Sequence, residues 1–130
     1  MELEPFVTEI RSYRDLRVWQ EAMTLVEESY RFSRGLPKEE LFGLTSQLRR
    51  AAVSVPANIA EGYGRDSKGS YVSFLKIAQG SLKELETHLI LCQRLKFSQA
   101  EATEALLGRC EAVGKMLLGL IRNLQMTAEA

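Results

Sequence analysis

The sequence is short of the side chains on which helical-bundle enzymes usually depend. It has one histidine, two cysteines and three prolines in 130 residues, and 17 Lys and Arg balance 17 Asp and Glu. A di-iron bundle needs two Glu-x-x-His motifs and further carboxylates. Here the single histidine, His88, follows Glu84 by four residues, so that site is excluded and a surface or interface histidine is expected. His88 is also the only imidazole available to activate Cys92 or Cys110, and both cysteines fall on apolar helix faces, which argues against nucleophilic catalysis. Neither belongs to a Cys-x-x-Cys pair, so both read as reduced core thiols of a cytosolic protein. A net charge of zero lacks the basic excess of a dedicated nucleic-acid binder, and any such binding must come from a local patch. No apolar run approaches the roughly 20 residues of a membrane-spanning helix. Met1-Glu2-Leu3-Glu4-Pro5 has neither the basic nor the apolar segment of a secretory leader, and the expected location is cytoplasmic.

What is present is a helical rhythm. A 45% hydrophobic and 26% charged composition suits one folded domain. Four periodic segments, at about 15–34, 38–62, 67–95 and 98–125, are divided by short glycine- and proline-marked breaks. Residues 1–12 are expected as an N-terminal arm, 13–126 as the bundle, and 127–130 as a frayed tail. The first helix has Asp15 as a candidate N-cap and Leu16, Trp19, Met23, Val26 and Tyr30 as its seam. Val18, Ala22, Leu25 and Phe32 form a second apolar row beside it, a candidate contact with another subunit. Leu41, Leu44, Leu48, Ala51, Val55 and Ile59 line the second helix, with a kink expected at Pro56. The third seam is Leu75, Ala78, Leu82, Leu85, Leu89 and Cys92. Ser98 and Glu101 form a candidate capping box ahead of the fourth, Leu106, Cys110, Val113, Leu117, Leu120 and Leu124. Short connections make consecutive helices antiparallel neighbours, so the expected fold is all-α, an up-down-up-down four-helix bundle.

Several polar groups stand out against this pattern. Arg49, Arg50, Asn58 and Glu61 interrupt the second helix, and Glu84 and Glu86 lie on the third. Their two readings are a polar network that holds helix register and an anion-binding cluster centred on the arginines. Asn58 stands beside Pro56, where its amide can pair with the carbonyl the proline leaves free. Arg11, Arg14 and Arg17, with Tyr13 and Trp19 interleaved, and Arg65 with Lys68, are candidate nucleic-acid contacts, although Asp15, Glu21 and Asp66 dilute them. Gly62-Tyr63-Gly64 lacks the third glycine and the preceding strand of a phosphate loop and reads as a helix stop.

Three blocks carry a resemblance. They are Tyr13-Arg14-Asp15-Leu16-x-Val18-Trp19-Gln20; Gly43-Leu44-Thr45-Ser46-Gln47-Leu48-Arg49-Arg50-Ala51-Ala52-Val53-Ser54-Val55-Pro56-Ala57-Asn58-Ile59-Ala60-Glu61-Gly62; and Phe74-Leu75-x-Ile77-Ala78-x-Gly80-Ser81-Leu82-x-Glu84-Leu85-Glu86. They resemble the four helix bundle protein family, first noticed as reading frames inside intervening sequences of bacterial large-subunit ribosomal RNA genes. The resemblance covers residues 13 to 124 and implies a bundle assembled as a ring-shaped homo-oligomer, a pentamer. It is also similar in architecture to the accessory protein of diversity-generating retroelements, which partners a reverse transcriptase and nucleic acid. It implies no cofactor, metal, small-molecule substrate or catalytic residue. The expected function is a non-enzymatic, homo-oligomeric assembly or interaction module; the alternative is association with nucleic acid or a nucleic-acid enzyme.

Overall fold

The computed structural model describes residues 9–127, so most of the expected arm and all but Thr127 of the expected tail lie outside the described residues. Four helices are present: α1 Arg17–Ser33, α2 Leu44–Tyr63, α3 Lys68–Arg94 and α4 Ala100–Met126, with no strand among the described residues. Each packs on its neighbours in chain order, and α4 returns to α1, while the backbones of the diagonal pairs stay apart. This is an all-α four-helix bundle. Leu48, Val55, Ile59, Leu75, Leu82, Leu85, Leu89 and Leu117 are fully buried along the facing stripes. Each buried Leu or Ile is worth about 1.5–3 kcal/mol relative to exposure.

The second apolar row of α1 lies deeper than the expected seam, although Leu16, Trp19 and Val26 of that seam also pack against the core. Val18, Ala22 and Leu25 are 6%, 0% and 0% exposed and form the α1 share of the core, with Phe32 partly buried beside them. They are therefore not free to contact another subunit. Met23 and Tyr30, expected in the seam, are 37% and 36% exposed instead. The smaller residues win the inside position because α1 packs on two helices at once. Ser29 and Ser33 continue the buried row at helical spacing.

The helix starts also differ from expectation. Asp15 does not cap α1. It accepts the backbone N–H groups of Arg11 and Ser12, while the Ser12 hydroxyl accepts from the Arg14 N–H, closing a capping box around a 3-10 turn at Tyr13–Asp15. α2 begins at Leu44 rather than 38, because Lys38–Glu40 is a separate 3-10 turn and Gly43, at φ −112° and ψ −110°, is not helical. The Glu40 carboxylate caps α2 by accepting the Leu44 N–H at 3.1 Å. Leu41 and Phe42 are thereby left outside the helix. Ser98 and Glu101 form no capping box: α4 starts at Ala100, which puts Glu101 one position too early, and the Ser98 hydroxyl pairs with that of Thr103 at 2.8 Å. α3 does begin with a capping serine, Ser67, which accepts the Ser70 N–H. It ends in a Schellman turn, Phe97 N–H to Cys92 C=O and Lys96 N–H to Gln93 C=O, with Lys96 at φ 63° in the left-handed position.

α2 runs continuously through Pro56. Gly62 does not stop it. This glycine is buried inside the last turn, and a Cβ there would lie 2.8 Å from Phe74 Cβ and 3.2 Å from the Tyr71 carbonyl oxygen. The absent side chain is what lets α3 come this near. Gly80 faces open space, as does Gly108. Gly62→Ala is expected to destabilise the protein by about 1–3 kcal/mol through overpacking. Gly108→Ala is expected to stabilise it by about 0.5–1 kcal/mol, because a glycine inside a helix costs that much relative to alanine. Urea denaturation of both variants checks the contrast in sign.

Candidate functional site

The α2–α3 seam is the most polar part of the interior. Ser54 on α2 and Ser81 on α3 share a hydrogen bond of 2.7 Å between hydroxyls. Asn58 donates its amide to both the Ser54 carbonyl (2.8 Å) and the Ser54 hydroxyl (2.9 Å). The amide therefore does not reach the carbonyl of Ala52, four residues before Pro56. A side chain four residues on lies over its own i−4 position, and for Asn58 that is Ser54. His88, seven residues after Ser81, lies on the same edge of α3 and is buried within the subunit, where a surface or interface histidine was the expectation. Its two ring nitrogens have no hydrogen-bond partner among the described residues, and the Glu84 carboxylate stands 3.7 Å from Nε2.

The six residues expected as one polar cluster divide among separate environments. Successive residues of a helix point about 100° apart. Arg49 and Arg50 consequently leave α2 in different directions, as do Glu84 and Glu86 from α3. Arg49 turns to α1, where its Nε donates to the Ser33 hydroxyl at 2.8 Å and its guanidinium lies 4.8 Å above the Tyr30 ring. Arg50 and Glu84 border one α2–α3 groove of about 420 Å³ without pairing. Glu61 pairs with Arg65 at 2.8 Å at the far end of α2, and Glu86 pairs with Lys83 at 3.2 Å beside α4. Asn58 is occupied by Ser54.

A second groove, of about 680 Å³, runs between α1 and α2 and is bordered by Tyr30, Leu41, Phe42, Val53, Arg49 and Arg50. Phe42 is 93% exposed, Leu41 47% and Val53 43%. Helical periodicity does not reveal this apolar patch, because Leu41 falls in register with the α2 seam. The signal available was Gly43, which separates Leu41 and Phe42 from the helical run that begins at Leu44. The groove holds two guanidiniums and no carboxylate, and neither arginine has an ion-pair partner among the described residues.

The candidate nucleic-acid contacts gather at the other end of the bundle, where α1 and α3 begin and α2 ends. Arg11 lies 3.6 Å from Glu9, and Arg14 is 5.8 Å from the Tyr13 ring. Arg17 is exposed. Arg65 pairs with Glu61 and covers the Phe74 ring at 4.6 Å, and Lys68 donates to the carbonyl and hydroxyl of Thr127. Cys92 and Cys110 are fully buried. Burial, with a contribution from the Glu40 carboxylate, pushes the Cys92 thiol up from 9.0 to about 11. Burial, aided by Glu86 and opposed by Lys83, pushes Cys110 up to about 12. Thiols held this far in the neutral form are poor nucleophiles at neutral pH. No group of three His, Cys, Asp or Glu side chains is arranged to hold a metal among the described residues.

Fold and surface together define a four-helix-bundle protein whose distinctive groups are an internal serine–asparagine seam and an exposed aromatic–arginine groove. The profile of the 23S rRNA-intervening sequence protein matches residues 14–119, and the chain belongs to that family. A crystal structure of a protein of unknown function from the S23 ribosomal protein family of Bacteroides thetaiotaomicron is similar in fold. It has a TM-score of 0.75 and 23% identity, over 80% of this chain and 97% of that one. No curated protein is detectably similar in sequence.

Two outcomes follow from the interior. Asn58→Ala is expected to cost about 1 kcal/mol, the worth of a hydrogen bond. Asn58→Asp is expected to cost more at neutral pH, because a carboxylate would face the Ser54 carbonyl that now accepts the amide, and the gap should close as the acid is protonated. Urea midpoints for both variants from pH 7 down to the carboxyl range test this. The thiols act in the opposite pH direction. Their folded-state pKa values are raised, so their contribution to stability is complete below 9.0 and is lost as pH climbs through about 11 and 12. Denaturation midpoints across that range should fall more steeply in the wild type than in a Cys92→Ala, Cys110→Ala double variant.

Proposed function

We propose that this protein is a non-enzymatic assembly module that works as a homo-oligomer. The observation that carries this reading is the groove around Phe42. A phenylalanine 93% exposed, with Leu41, Val53 and Tyr30 beside it, is an apolar patch that monomeric proteins seldom leave in water. The core does not need these residues, since the bundle interior is complete without them. Resemblance to the family adds the expectation of a closed ring of five subunits in the cytoplasm. The face toward another subunit is the Phe42 groove, in place of the Val18–Phe32 row that the structure puts inside. Light scattering at micromolar concentration is expected to give a mass several times 14.7 kDa, and five times that for the ring. A single-chain mass across the concentration range would remove the proposal.

A second reading, association with ribosomal RNA or a nucleic-acid enzyme, is supported by the gathering of Arg11, Arg14, Arg17, Arg65 and Lys68 at one end of the bundle. Repetition of that end around a ring would give a local positive surface despite zero net charge. The intramolecular partners of Arg11, Arg65 and Lys68 weaken it. Its signature is RNA binding whose affinity falls steeply with salt. Absence of binding at low salt removes it.

A further inference from the structure

The counterpart of the Phe42 groove is indicated by the size and charge of side chains on the opposite side of the bundle. We infer that the groove docks head-to-tail onto the outer face of the N-terminal half of α4 in a second copy of this chain. This rests on the self-assembly proposed above and adds the surface that Phe42 meets.

The groove offers large side chains and positive charge, with Phe42, Leu41, Tyr30 and Val53 around Arg49 and Arg50. Its own lining has no carboxylate, and Glu84 borders the adjoining groove that shares Phe42 and Arg50. α4 offers the reverse. Glu101, Glu104, Ala105, Gly108 and Ala112 recur at spacings of three, one, three and four, which puts them on one helix face, and all five are exposed. Glu101 and Glu104 have no ion-pair partner among the described residues. Gly108 has no atom of the fold within 4 Å of where its Cβ would stand, so nothing within the subunit requires a glycine there. Small side chains on a helix let a bulky group reach the backbone, and two carboxylates beside them suit two unpaired guanidiniums.

The topology keeps these surfaces from meeting within one chain. α2 and α4 are diagonal in the bundle, and their backbones stay apart. A two-fold arrangement of groove on groove would set Arg49 and Arg50 of one copy against the same residues of the other, and like charges oppose it. Groove on α4 relieves that repulsion. Because the joined surfaces differ, each copy uses both, and the contact propagates from copy to copy, as a heterologous contact does in a ring.

Two variants test the assignment without threatening the fold. Phe42→Asp changes a side chain that is almost wholly in solvent, and Gly108→Arg extends into open space while removing a helix glycine. Circular dichroism confirms folding, and light scattering reads the mass. The expected result is that the wild type is oligomeric, each variant alone is a single chain, and an equimolar mixture at the highest soluble concentration contains a species of two chains and nothing larger. Only one intact groove and one intact α4 face then remain per pair. A Gly108→Arg protein with the wild-type mass would overturn the α4 assignment while leaving self-assembly in place. Retention of the wild-type mass by Phe42→Asp, or a mixture that stays as single chains, would overturn it too. A wild type that is itself a single chain would overturn the assembly reading and this inference with it.

Discussion

The close approach of α2 to α3 is the constraint on which the rest of the molecule depends. Small residues make it: Ala51, Ala52 and Gly62 on α2, Ala78 and Ser81 on α3, all buried. Gly62 lets the Phe74 and Tyr71 turn of α3 lie against the α2 backbone, and Ser54 and Ser81 meet hydroxyl to hydroxyl. A seam made only of leucines would tolerate sliding by a turn. A hydrogen bond between two partly buried hydroxyls resists it, because a slipped register would leave Ser81 without its partner while Ser54 kept only the Asn58 amide. With α2 held in this register against α3, its opposite edge is set too, and that edge carries Arg49 toward Tyr30 and leaves Phe42 and Val53 facing water.

Much of this was legible in the residues. The bundle and the seam of α3 follow from periodicity alone, since Leu75, Ala78, Leu82, Leu85, Leu89 and Cys92 are all buried. The α4 seam holds from Leu106 to Leu117, after which Ile121 is buried while Leu120 and Leu124 are only partly so. α1 was harder to read because it carries two adjacent apolar rows, and periodicity does not say which one faces inward. Packing against α2 and α4 together chose the row with alanine and serines, which takes less room. The six polar residues divide among several surroundings for a geometric reason, although Arg49 and Arg50 both border the Phe42 groove. Residues adjacent in sequence, such as Arg49 and Arg50, diverge around a helix, and proximity along the chain was taken for proximity in space. The Phe42 patch is hidden in the sequence because apolar spacing continues from Leu41 into α2, whereas the helix itself starts only at Leu44.

The surface divides the molecule into two kinds of chemistry. One face is apolar and cationic, built from a loop and the outer edge of α2. The outer side of α4, near its start, is small and anionic. The basic residues at the opposite end are largely engaged with Glu9, Glu61, Phe74 and Thr127. A bundle with inert thiols and an internal asparagine committed to its own helix keeps little reactive chemistry in its interior, and what it presents outward is shape and charge. These are the means of recognition between macromolecules.

The four-residue link from Gly64 to Ser67 joins the two most extensively packed helices, α2 and α3. Their contacts are local in sequence, so little chain entropy is lost in bringing them together. The α1–α4 contact is the reverse: it unites the two ends of the chain and closes the bundle across nearly its whole length. In time, then, the molecule is expected to form as a central hairpin to which the outer helices attach, with α1 and α4 meeting last. The order of attachment has a consequence for assembly. The loop bearing Phe42 is completed when α1 docks on α2, and the outer face of α4 when α4 docks on α3. Neither surface is complete in the hairpin alone, so chains still folding would be poor partners for one another, and association would select molecules that have already finished.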